Sequence, residues 1–229
     1  MWLFGKKKKP ETTSRPTSKL SETQKKQIYQ ELRKSNSEFR RIDDCLKATD
    51  KSLEKILNAN KQYKADKDLN KVLKVYEHEL KEPTSPWGHN IPQKHAMDLV
   101  DFYIKAGEND KAWSYLNWLT VQCPHLTSKI RFAQTKILKK ESKYQDALLT
   151  LMSGYLVDAK DMNGRFNSTK FLKEATVITN KLKWDGSRVD ELSEILRKMI
   201  SNRCYNEYDL KELFLDQLEA WSIRDKKEE

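Results

Sequence analysis

Apolar positions recur three and four residues apart along most of this chain, and no stretch alternates apolar and polar residues with the period of two that marks a half-buried strand. From Ser21 to Tyr63 neither Gly nor Pro interrupts the run, and Ile28, Leu32, Ser35, Phe39, Ile42, Leu46, Thr49, Leu53 and Ile56 follow alternating steps of four and three. This heptad seam predicts a long N-terminal helix opened by the capping box Ser21-Glu-Thr-Gln24. Its stripe is either buried on the protein's own body or paired with a second copy, and in the second case Ile28, Leu32, Phe39, Ile42, Leu46, Leu53 and Ile56 form a homodimer seam. Asp50, Lys51 and Ser52 also have the composition of a helix start, which would split the segment in two.

Further helices follow from the same periodicity. Leu69, Val72, Leu73, Tyr76 and Leu80 share one face of a helix over 68–80. Pro83, Pro86, Gly88 and Pro92 then predict a loop over 82–92, with Trp87 and Ile91 as apolar anchors. Two hairpins are expected over 93–122 and 126–156, a break over 157–167, a third hairpin over 168–203 turning at Trp184-Asp-Gly, and a last helix over 209–224. That last helix carries Leu210, Leu213, Phe214, Leu218 and Trp221 on one face, as a capping helix does. The two central hairpins repeat each other: Tyr103, Gly107, Ala112 and Leu116 recur as Leu138, Ser142, Ala147 and Leu151, thirty-five residues on. A period in the mid-thirties marks a helix–turn–helix repeat. The chain therefore reads as all-α, a single helical-repeat domain over 20–229.

Composition changes this picture only at the N-terminus. The net charge of +10 invites a nucleic-acid reading, yet residues 1–41 carry twelve cations against four acids and the remainder thirty-two against thirty. The helical body is nearly neutral. Residues 1–19, with Lys6 to Lys9, Pro10, Pro16 and several Ser and Thr, predict a disordered basic tail. Trp2, Leu3 and Phe4 beside those lysines give it the composition to touch an anionic membrane surface or nucleic acid, which is the alternative functional reading. Cys45, Cys123 and Cys204, odd in number and far apart, point to reduced thiols and a cytoplasmic protein.

Tyr103, Gly107, Ala112 and Pro124, with Tyr144 and Ala147 in the next unit, fall where the tetratricopeptide repeat family favours those residue types. The segment 52–161 resembles that family, and 168–203 does so more weakly. The resemblance implies antiparallel hairpins stacked as a short right-handed solenoid and an adaptor or scaffold that binds a protein partner. It also implies a concave groove lined by the first helix of each hairpin: Lys94, Met97, Asp101, Ile104 and Lys105, then Lys129, Phe132, Lys136, Lys139 and Lys140. A groove so rich in lysine suits an acidic peptide, with Phe132 for apolar contact. The asparagines of the family's chaperone clamp are missing. Val100 and Thr135 stand where the family places a small residue in the first helix, and Leu119 where it places one late in the second, so the hairpins are expected to pack more widely than in a regular array.

Catalytic signatures do not emerge. There is no Gly-rich phosphate loop, no Gly-x-Ser-x-Gly elbow and no His-Glu-x-x-His helix. His78, His89, His95 and His125 lack metal-ligand spacing, and Cys123-Pro-His125 supplies only two donors. The expectation is a protein that is not an enzyme and needs no cofactor.

Overall fold

The computed structural model describes residues 22–81 and 93–228, and every regular element among them is helical. The protein is all-α. α1 (Glu22–Asp66) is followed by α2 (Leu69–Lys81), α3 (Gln93–Ala106) and α4 (Asn109–Gln122). After one 3₁₀ turn at Pro124–Leu126 come α5 (Thr127–Lys140), α6 (Tyr144–Asp161), α7 (Ser168–Leu182), α8 (Gly186–Ser201) and α9 (Glu207–Glu228). The basic tail and the loop over 82–92 lie outside the described residues.

Consecutive helices pack on one another throughout, α1 on α2 through α8 on α9. Contacts beyond chain neighbours join α3 to α5, α6 to α8 and α6 to α9. Two adjoining cores result. One runs from Ile56 and Tyr76 through Val100 and Leu116 to Ile137. The other runs from Ala147 and Met152 through Phe171 and Leu196 to Trp221, and Trp113 touches both.

The thirty-five-residue register is a geometric fact of the structure. Ala112 and Ala147 are fully buried, as are Leu116 and Leu151, at the same step of α4 and α6. Gly107 and Ser142 both adopt left-handed backbone, with φ of +79° and +60°. At each turn two crossed hydrogen bonds close the preceding helix: Gly107 N–H to Ile104 C=O and Glu108 N–H to Tyr103 C=O, then Ser142 N–H to Lys139 C=O and Lys143 N–H to Leu138 C=O. This Schellman closure satisfies carbonyls that a helix end leaves orphaned. It returns after α7, where Lys183 has φ of +58°, and after α8, where Arg203 has +54°.

Several boundaries differ from the sequence reading. α1 is unbroken across Asp50-Lys-Ser, because nothing there removes a helical hydrogen bond and Ser52 is buried on the α2 side. α6 extends to Asp161, past the expected break at 157, since Leu156 and Ala159 continue its buried stripe. Leu213 does not join the face of α9: it is exposed, and Leu210, Phe214 and Trp221 are buried without it. Thr135 does not hold its hairpin apart either. Its hydroxyl donates to the Arg131 carbonyl at 2.9 Å, and Gly154 on α6 lets α5 come close. A Cβ at Gly154 would lie 2.8 Å from Phe132 Cε1, nearer than such atoms approach, and in tight contact with Arg131 Cβ at 3.2 Å. A mid-helix glycine costs about 1 kcal/mol against alanine, and the close approach of Phe132 offsets it.

Of the proposed dimer seam, Ile56 is fully buried and Leu53 half-buried in the protein's own body, against α2. Ile28 is exposed. The side chains of Leu32, Phe39, Ile42 and Leu46 lie outside what the structure describes. A buried polar lock ties α1 and α3 to α2: Asn60 Nδ2 donates to Tyr76 Oη at 2.7 Å, and His95 Nδ1 lies 3.2 Å from Asp98 Oδ2, itself 3.4 Å from Tyr76 Oη.

Candidate functional site

α5 and α7 leave between them a cleft of about 290 Å³, lined by Phe132, Thr135, Lys136, Lys139, Lys170, Glu174 and Ile178, with Leu151 of α6 among them. The geometry follows from the elements. On α5 a turn-by-turn spacing sets Phe132, Lys136 and Lys139 along one face, and on α7 Lys170, Glu174 and Ile178 follow steps of four. α6 packs on both helices and fills the space beneath.

Aromatic packing fixes the floor and one wall. The Phe132 ring meets Tyr155 edge to face with centroids 5.2 Å apart, and Tyr155 meets Phe171 at 5.5 Å. Lys170 Nζ sits over both Phe132 and Tyr155, 5.7 and 6.0 Å from the ring centres. Tyr155 Oη donates to Glu174 Oε2 at 3.1 Å and so holds the only acidic group of the lining in place. Burial, and then the Glu174 charge, push the Tyr155 phenol above its ordinary range, so it stays a neutral donor.

The lysines are not equivalent. Lys136 Nζ reaches back to Asp101 Oδ1 on α3 at 2.7 Å, and Lys140 Nζ donates to the Ile104 carbonyl at the end of α3. Lys139 and Lys170 have no carboxylate partner among the described residues. These two carry the uncompensated positive charge of the cleft.

The structure thus gathers three of the expected groove residues, Phe132, Lys136 and Lys139, and disperses the others. Asp101 serves as the counter-ion of Lys136, and Lys140 fastens α5 to α3. Met97 is half-buried against the first core, and Ile104 is buried outright. Lys105 lies over the rings of Tyr63 and Phe102, at 5.5 and 5.1 Å, toward the end of α1. Lys129 is exposed and does not line the cleft, and the side chain of Lys94 lies outside the described residues. Lys170, Glu174 and Ile178 were missed. Their four-residue spacing was readable, but α6 is four residues longer than α4 and the turn after it is longer too, so α7 starts at Ser168 and falls out of the thirty-five-residue register.

α9 does not fill the cleft. It packs on α6 and α8, with Trp221 Nε1 and Gln217 Nε2 each donating to Glu191 Oε2 at 2.7 Å, and Arg224 Nη2 3.1 Å from Glu191 Oε1. Its start is fixed by Glu207, which lies 2.9 Å from Arg131 Nη2 and accepts from the Ser153 hydroxyl.

A larger cleft of about 580 Å³ lies beside α2, α3 and α4, walled by Tyr103, Tyr115 and Trp118. Its charges are already matched: Lys111 Nζ lies 3.2 Å from Glu77 and 2.6 Å from Glu108, and Tyr103 Oη donates to Glu77 at 3.0 Å. Size favours this cleft, but unpaired charge favours the one between α5 and α7, and charge is what selects a polar partner. Among the described residues no group of three or more His, Cys, Asp or Glu side chains is placed to hold a metal ion. No described helix is long and apolar enough to cross a membrane.

The chain matches no protein-family model, no curated protein and no solved structure.

Proposed function

We propose that the protein is a non-enzymatic helical-repeat adaptor, similar to tetratricopeptide repeat proteins, that binds an acidic segment of a partner protein in the cleft between α5 and α7. The observation that carries this reading is the pair of lysines, Lys139 and Lys170, that line the cleft with the half-buried ring of Phe132 and have no carboxylate partner among the described residues. A partner carboxylate at each lysine would gain charge-assisted hydrogen bonds, and an apolar side chain between them would cover the ring of Phe132. Glu174, held by Tyr155, selects against an unbroken acidic run, because one acidic side chain would face it at close range. The protein contributes shape and charge here and no bond-breaking chemistry.

The test is an affinity capture with Lys139→Glu, Lys170→Glu beside the wild type and a Lys198→Glu control on α8. The partner is expected to be retained by the wild type and the control and lost from the double variant. Equal retention by all three would remove the cleft from consideration. Charge reversal at Lys136 or Lys140 would be a poorer test, since each also breaks a contact between α3 and α5.

A further inference from the structure

We propose that Asp101 is a built-in competitor for the ligand of the α5–α7 cleft, occupying Lys136 until a partner carboxylate displaces it; this rests on the acidic-partner reading above. Lys136 belongs to two surfaces at once. It lines the cleft, and its Nζ is 2.7 Å from Asp101 Oδ1 on the preceding hairpin. The two residues stand at equivalent places in the repeat, thirty-five apart, so the register that puts a cation on α5 puts an acid on α3.

The exchange is physically easy. The side chains of Lys136 and Asp101 are 52% and 44% exposed, so water and salt screen the pair and neither partner is stranded in an apolar interior when it opens. No other carboxylate holds the cleft's cations: Lys139 and Lys170 have none among the described residues, and Glu174 is engaged by Tyr155. One of three lysines is therefore neutralised by the protein's own carboxylate. A ligand that uses all three must bind the fraction of molecules in which Asp101 has let go, and its apparent affinity falls by that fraction. Asp101 also raises the charge threshold for entry, because a singly acidic segment is served by Lys139 or Lys170 and only a more acidic one recruits Lys136.

The experiment is a fluorescence-anisotropy titration of the full chain with a short fluorescein-labelled peptide of glutamates around a central phenylalanine. It compares the wild type, Asp101→Asn, Lys136→Gln, the Asp101→Asn, Lys136→Gln double variant, and Lys139→Glu, Lys170→Glu, all checked for helicity by circular dichroism. Asp101→Asn should bind about 2- to 5-fold more tightly than wild type, with a steeper loss of affinity as salt rises, and the gain should vanish in the Lys136→Gln background. If the wild type binds and Lys139→Glu, Lys170→Glu does not, while Asp101→Asn is unchanged or weaker, the competitor role is overturned and the cleft assignment stands. A gain from Asp101→Asn that persists without Lys136 also overturns it, since Asp101 would then act only as a distant repulsive charge. Binding by none of the proteins overturns both the competitor role and the acidic-partner reading.

Discussion

Ser142 carries a φ of +60°, a backbone in which its Cβ crowds the following carbonyl. Gly107 meets the same demand without a side chain, and a Cβ there would touch nothing within 4 Å, so conformation alone calls for glycine. Replacing Ser142 by Gly should relieve a strain of about 1–2 kcal/mol, more than the entropy that glycine adds to the unfolded chain, and stabilise the protein by about 0.5–1 kcal/mol. Gly107→Ala should cost a similar amount. Urea unfolding of both variants measures this, and an unchanged midpoint for Ser142→Gly would mean the turn is relaxed as it stands. The equivalence of these two positions was legible from spacing alone. Nothing in the chemistry of serine marks it as left-handed, yet the flanking Leu138 and Ala147 placed it opposite Tyr103 and Ala112. The roles of single lysines were not legible in the same way. Lys136, Lys139 and Lys140 look alike in sequence, and only the position of α3 separates the paired from the unpaired.

At the scale of elements, α1 and α2 show how an amphipathic stripe and a few polar contacts divide the work. α1 has 45 residues and α2 has 13, so α2, about 20 Å long, covers less than a third of its neighbour. Where they meet, Ile56, Ala59, Val72 and Tyr76 are buried, and Glu79 on α2 takes Lys55 Nζ at 2.8 Å and His78 Nδ1 at 3.1 Å. Burial alone would raise the Glu79 carboxyl, but hydrogen bonds from Lys55, Ser52 and His78 outweigh it and hold the group below its ordinary 4.5. A carboxyl lowered on folding adds stability that is fully present above its unfolded value and lost as pH falls through the lower folded one. Glu79→Gln should therefore reduce stability at neutral pH by about 1 kcal/mol and leave a shallower loss between about pH 5 and 3. Thermal melts across that range check it, and an identical acid limb in both proteins would mean the contact contributes nothing. The helix period was plain in the sequence. The partner of each stripe was less so, because Ile28 to Ile56 reads as one seam although only its C-terminal part meets α2. Along the rest, the heptad register of a parallel pair of α1 helices would set Glu38 of one copy against Asp43 of the other, while Glu31 would face Asn36 and Asp50 would face Cys45. No opposite-charge pair among these positions supports a homodimer.

At the scale of the whole molecule, two cores share Trp113, whose indole donates to Glu141 at 3.1 Å across the turn between α5 and α6. The hairpins follow one another with α3 against α5, whereas the next junction adds α6 against α8. α7 comes to α5 mainly through α6 and the Phe132–Lys170 contact, with room left between them. An amphipathic α9, burying Leu210, Phe214 and Trp221 at about 2 kcal/mol each, covers α6 and α8 and leaves that room open. The opening could not be read from the chain because it depends on which helices touch across hairpins, and periodicity reports only which face each helix buries. The net charge of +10 is equally uninformative by itself, since residues 1–41 carry +8 of it and the rest of the chain only +2. Function on this reading depends on two lysines that no carboxylate among the described residues pairs, the one acid of their cleft being held by Tyr155.

The most direct measurement is site-specific photo-cross-linking in native lysate, with a benzoylphenylalanine placed in turn at Val177, 54% exposed on α7 two turns beyond Lys170, and at Val121, 75% exposed on α4, so that both lysines of the cleft are kept. A discrete adduct with an acidic protein from position 177, absent from position 121 and suppressed by Lys139→Glu, is the predicted result. An adduct of equal strength from position 121, or one at position 177 indifferent to Lys139, would contradict the assignment of the α5–α7 cleft as the binding surface.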